Sequence, residues 1–251
     1  MTHAAPPSPT RLLILAWSAF AYLAFAVVAG LALLFVGNLG GPVSVDGGRP
    51  AGVGQAVVVN LLLVGLFGLQ HSVMARPGFK AWWTRVVPAA AERSTYVLAS
   101  SAVLALLLWQ WRALPGVVWD VHHPVGRALL WSVFWAGWGV MGLATFLVSH
   151  ADLFGLRQAW LHFRDRPCPP LPFRQVLLYR LVRHPIMLGF LMAFWATPRM
   201  SAGHLLFAVA NTVYILLALR LEEADLLRHL GPAYEDYRRR VPMLLPFGRR
   251  R

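Results

Sequence analysis

Arg183-His184-Pro185 sets a guanidinium and an imidazole directly before a proline, a residue favoured in the first helical turn, where no amide hydrogen is needed. The proline biases His184 toward extended backbone, and the helix beginning there offers free amides and the positive end of its dipole. Those donors suit a carboxylate or another anion; they equally suit a basic patch that only sets membrane orientation. Upstream, Asn60, Val64, Phe67 and His71 recur at spacings of four, three and four, so Asn60 and His71 share a helix face. His71 is a candidate base because imidazole titrates near neutrality, although both residues also suit hydrogen bonding between membrane helices. A third stripe carries Asn211, Tyr214, Ala218 and Glu222 on to Asp225. Glu222, Glu223 and Asp225, with Arg220 and Arg228 close by, also suit a solvated helix exit.

The elements that must position these groups are membrane spans. With 58% hydrophobic residues, 13% charged residues and a mean hydropathy of +0.57, the chain is too apolar for an ordinary water-soluble domain. Apolar runs at 12–36, 53–75, 94–111 and 128–149 each approach or exceed the roughly 20 residues that cross a bilayer core. The first run is too long for the core of a cleaved signal peptide. Residues 185–198 reach only about 21 Å at 1.5 Å per residue, so this segment crosses partway or needs help. A further helix follows at 204–221, with 197–203 as the hairpin tip. The fold expected is an all-α integral membrane protein, a bundle of about five to six transmembrane segments with the last two as a helical hairpin. Segments 1–10 and 37–52 read as flexible polar connections. Residues 1–150 form an N-terminal four-helix part on the substrate side, and residues 151–251 a C-terminal core.

Charge orients the bundle. With six crossings and both termini inside, 19 of the 23 basic residues fall on the cytoplasmic side and four, Arg49, Arg112, Arg127 and Arg199, outside. The net charge of +13 is then explained by topology and anionic lipid, without nucleic acid. Cys168, the sole cysteine, excludes a disulfide framework and a cysteine metal cluster. His71, His150, His184 and His204 supply no convincing haem-ligand pair within one helix.

The spaced combination of Arg183-His184-Pro185-Ile186-Met187-Leu188-Gly189, Glu222-Glu223, Gly231-Pro232-Ala233-Tyr234-Glu235-Asp236-Tyr237 and Val241-Pro242 resembles the isoprenylcysteine carboxyl methyltransferase-like superfamily. Its pattern is R-H-P-x-Y-x-G, a glutamate pair, G-x-x-Y-x-x-Y and V-P. Residues 70–77, Glu92-Arg93-Ser94-Thr95-Tyr96 and 152–158 extend the likeness over most of the chain, toward the bacterial methanethiol S-methyltransferases, relatives of a nitrogen-oxide-metabolism group. One position departs: Met187 stands where the broad pattern has tyrosine.

The resemblance implies S-adenosylmethionine as cofactor, bound near the cytoplasmic surface by Arg183, His184, Pro185, Gly189, Glu222, Glu223, Tyr234 and Tyr237, with no metal. It also implies methyl transfer to a small volatile thiol, methanethiol becoming dimethyl sulfide and the cofactor S-adenosylhomocysteine. The cofactor's carboxylate suits Arg183, its ammonium suits carboxylates, and its adenine suits aromatic contacts. The thiol must lose a proton, and His71 is the expected base, with Tyr96, Arg157 or Arg93 stabilising the anion. The expected location is the bacterial cytoplasmic membrane, with lipid and a small thiol as partners and nucleic acid excluded. Two other readings stay open: methyl transfer to another membrane-accessible acceptor, and a non-enzymatic transporter or sensor.

Overall fold

The computed structural model describes residues 8–246. In chain order its elements are α1 (Pro9–Gly37), α2 (Val53–Ala75), α3 (Pro77–Trp83), α4 (Ala89–Gln110), β1 (Val117–Asp120), α5 (Pro124–Val148), α6 (His150–Leu153) and α7 (Leu156–Phe163). There follow α8 (Leu178–Leu181), α9 (Pro185–Trp195), β2 (Arg199–Ser201), α10 (Ala202–Leu230) and α11 (Pro232–Arg240). Prolines open α1, α3, α5, α9 and α11, where fixed φ and a missing N–H cost nothing. Asn38 ends α1 in the left-handed conformation, φ 53°, with its amide turned back onto the last helical carbonyls.

Helices α1, α2, α4, α5 and α10 are long and apolar enough to cross a membrane, as an all-α membrane protein requires. Helix α9, with 11 residues, is not. Contacts at the two ends nevertheless show that it carries the chain from one end of the bundle to the other. At one end β1, between α4 and α5, pairs antiparallel with β2, between α9 and α10. Asn60 near the start of α2 holds both backbone groups of Arg112 at 2.9 Å, at the same end. At the opposite end Arg11 meets Asp165, Arg76 meets Asp225, and Arg93 donates to the Leu153 carbonyl. Six segments therefore alternate in direction, and residues 196–198 carry the chain from α9 to β2.

Two expectations are corrected. Pro9 and Thr10 belong to α1 rather than to a tail, while residues 1–7 lie outside those described. Residues 38–52 are no flexible polar connection, because Val45 is wholly buried, its amide donates to Phe35 and its carbonyl accepts from the Trp111 indole at 3.0 Å. The hairpin tip contains β2 and a cap, since Ser201 Oγ accepts from the His204 amide.

Close packing replaces the hydrophobic drive that lipid removes. Gly137 on α5 and Gly189 on α9 lie backbone against backbone; a Cβ on either would come within 2.6 Å of the other's carbonyl oxygen. Near the sheet end, Phe35, Trp111, Phe194 and Phe207 meet edge to face with centroids 5.1–5.7 Å apart, the geometry the ring quadrupole favours.

Candidate active site

At the end opposite the sheet, His184 sits outside α9 with φ −125° and ψ 66°, away from the helical region that the following proline disfavours. Its Nε2 lies 3.1 Å from Glu223 Oε1, which also accepts from Arg183 Nε at 2.7 Å. Arg183 spends a further N–H group on the carbonyls of Arg238 and Val241. Backbone pairing completes the join: the Arg183 amide donates to the Pro242 carbonyl at 2.9 Å, and the His184 amide to Met243 at 3.2 Å. The Arg-His-Pro and Val-Pro motifs, distant in sequence, thus form one short ladder with a buried ion pair across it. Buried charges are tolerated only with such full pairing.

The glutamate pair divides. Glu223 is 12% exposed and committed to Arg183 and His184, whereas Glu222 is 50% exposed and faces a cavity of about 400 Å³. Of the residues expected to bind cofactor, Arg183, His184, Glu222, Tyr234 and Tyr237 line that cavity. Pro185 is buried and Glu223 stands behind the wall; Gly189 lies at the α5 crossing, where its small size serves packing. Asp152, Phe173, Arg174, Tyr179 and Met187 complete the polar and aromatic lining. Phe173 and Arg174 come from a proline-rich loop whose sequence carries no periodic signal for their place. Met187 brings a thioether where the superfamily pattern has a phenol.

Burial raises the phenol pKa of Tyr237 to about 12, against the opposing pull of Arg183, and raises Tyr179 and Tyr234 as well. All three stay neutral at physiological pH and keep a hydroxyl hydrogen to donate. Tyr237 donates to the Tyr179 carbonyl at 2.6 Å. The Tyr234 hydroxyl is buried and has no partner among the described residues, a donor in need of an acceptor.

A second cluster adjoins this wall. Tyr96 Oη lies 2.8 Å from His71 Nε2, Ser100 Oγ lies 3.3 Å from Nδ1, and Phe67 stacks on the imidazole. The Arg93 guanidinium lies over the Tyr96 ring, 5.0 Å from its centroid, and Arg93 Nε donates to the carbonyl of Leu153, itself a cavity residue. Arg157 is elsewhere engaged, with Asp152 at 2.7 Å and the Pro169 carbonyl at 2.8 Å. The cation beside His71 and Tyr96 is Arg93. On α10, Asn211 bonds its own helix, Tyr214 approaches Ser72 and Asp225 pairs with Arg76, so Glu222 alone of that stripe faces the cavity.

Over 240 residues, 96% of this chain and 98% of the relative, the sequence is 57% identical to a methanethiol S-methyltransferase of Mycobacterium tuberculosis. The chain belongs to the methanethiol S-methyltransferase family. Two further methanethiol S-methyltransferases agree. One, from Bradyrhizobium diazoefficiens, is 55% identical over 96% of this chain and 93% of its own length. Another, from Crocosphaera subtropica, is 44% identical over 95% and 93%. No family model matches the chain, and no solved structure does. As a methanethiol S-methyltransferase family member the chain is an enzyme.

Proposed function

We propose that this enzyme moves the methyl group of S-adenosylmethionine to the sulfur of methanethiol, forming dimethyl sulfide and S-adenosylhomocysteine. The observation carrying this reading is the shared wall: Leu153 lines the cavity with Glu222 and Tyr234 and accepts a hydrogen bond from Arg93 of the His71–Tyr96 cluster. The cavity's volume of about 400 Å³ falls within the range of small-molecule sites, about 300–1,000 Å³.

The residues present fit the donor. Glu222, half-exposed and 3.9 Å from His184 Nδ1, suits an ammonium; Arg174 suits the carboxylate, since Arg183 already gives its Nε and Nη1 to Glu223 and two carbonyls; Tyr234 offers its unpaired hydroxyl; Phe173 and Tyr179 offer flat faces for a purine. When bound, S-adenosylmethionine supplies a methyl group on a positively charged sulfur. The chain's own task is to present a thiolate to it. His71 takes the thiol proton, Tyr96 fixes the imidazole, and Arg93 favours the anion before transfer. Because the anionic charge vanishes as sulfur is methylated, the apolar walls of Val148, Leu153, Ile186 and Met187 favour the reaction over its course in water. The N-terminal 150 residues supply the thiol side and the remainder the donor side.

The end carrying the site also carries most basic residues, which supports a cytoplasmic orientation for it in a bacterial inner membrane, with both chain termini inside. Gas chromatography of the headspace over membranes containing the enzyme, supplied with methanethiol and S-adenosylmethionine, tests the reaction. Dimethyl sulfide dependent on the donor is expected, and His71→Ala lowers turnover about 10²-fold or more while donor binding persists. Donor binding without product would point to another acceptor; neither binding nor product would remove the reading.

A further inference from the structure

A larger cavity, about 580 Å³, lies on the other side of the Arg183–Glu223 pair. One wall is cationic, formed by Arg238, Arg239 and Arg240 in the last turn of α11; the other is apolar, formed by Met243, Leu244 and Leu245. Nothing in the methyl-transfer chemistry uses it. Glu235 neutralises Arg239 at 2.8 Å, and the Glu223 carboxylate is matched by Arg183 and His184. Arg238 and Arg240 have no carboxylate partner among the described residues, where Arg240 reaches only the Asp236 carbonyl. Leu245, 62% exposed, is an apolar side chain facing outward beside these cations.

We propose that this pocket holds the phosphate of an anionic phospholipid from the adjoining leaflet. Arg238 and Arg240 meet the headgroup, and Met243, Leu244 and Leu245 meet the first acyl carbons. A cationic wall facing an apolar one matches a lipid rather than a free anion, which has nothing to place against three apolar side chains. The pocket bears on the active site as well. Its walls are the segment whose carbonyls hold Arg183 and His184, so an occupant braces the ladder behind the methyl-donor cavity. The proposal rests on the membrane fold and is independent of which acceptor the enzyme methylates.

Native mass spectrometry of the full-length enzyme released from nanodiscs tests it, with phosphatidylcholine as bulk lipid and phosphatidylglycerol as a minor component. Wild-type enzyme is expected to retain phosphatidylglycerol, and each of Arg238→Gln and Arg240→Gln to weaken retention about fivefold, the worth of one cation near a charged surface. The pair Arg164→Gln and Arg166→Gln, exposed at the same end of the bundle, removes twice the charge of either variant and should change nothing. Leu245→Ser, at an exposed side chain, should reduce retention without altering charge, and it serves should the arginine variants not fold. Equal loss with the control pair, or displacement of the lipid by inorganic phosphate, would overturn the proposal.

Discussion

At the scale of single residues, adjacent glutamates do different work because a helix turns about 100° per residue. Glu223 points inward to Arg183 and His184, and Glu222 outward to the cavity. Glu223→Gln should lower the thermal unfolding temperature in detergent, since a charged hydrogen bond within a buried network is worth about 1.5–3 kcal/mol. Glu222→Gln should leave that temperature unchanged and raise the KM for the methyl donor about tenfold, a loss of about 1.4 kcal/mol; initial-rate kinetics on both variants separates the two roles. Arg183-His184-Pro185 was legible as a helix start because proline acts locally on the residue before it. That Arg183 would be consumed by tail carbonyls was not, since those partners lie more than fifty residues away and nothing in the local sequence names them.

At the scale of elements, uninterrupted apolar runs translate directly into helices, and α2 occupies the 53–75 stretch that its composition marks out. Val45 shows the opposite case: its burial depends on Trp111 and Phe35, so a glycine-rich segment that looks loose in sequence packs as a plug. The α5–α9 crossing makes a sharp prediction. Gly189→Ala would press a methyl group against the Gly137 carbonyl and the Met141 amide, both backbone groups unable to rotate away, and should destabilise the fold by about 1–3 kcal/mol. Gly142→Ala, with open space around it, should be tolerated, and thermal unfolding of the two variants gives the comparison. Helix α6 offers a pH test. His150 bonds Tyr22 at 2.9 Å and Thr145 at 2.8 Å, and burial lowers its pKa. The unfolded chain therefore takes up the proton first, so stability is complete above the ordinary imidazole value of about 6.5 and declines as pH falls below it. Unfolding temperatures measured across that range should fall on acidification, less so in His150→Gln.

At the scale of the whole molecule, six alternating segments place every chemically useful group described above at one end, and the two-stranded sheet with its aromatic cluster at the other. Charge asymmetry made this polarity readable, because basic residues cluster where the short helices and the cavity lie. The sheet itself was not readable: strands of four and three residues carry too little pattern to distinguish them from loop. Cys168 is exposed at the site end. In intact cells a membrane-impermeant maleimide should therefore leave Cys168 unmodified until the membrane is opened, whereas a cysteine placed at Arg127 in a Cys168→Ser background should react at once. Labelling of Cys168 from outside would reverse the orientation.

The ladder between Arg183-His184 and Pro242-Met243 makes the segment after α11 part of the framework that holds the Arg-His-Pro motif. The five long apolar helices and α9 all precede residues 242 and 243 in the chain, so the ladder joins elements that the sequence specifies earlier to the segment that follows α11. A chain truncated after α10 is expected to keep its apolar helices and to lose the carbonyl groups that hold Arg183 and His184, which thermal unfolding of the truncated protein in detergent checks.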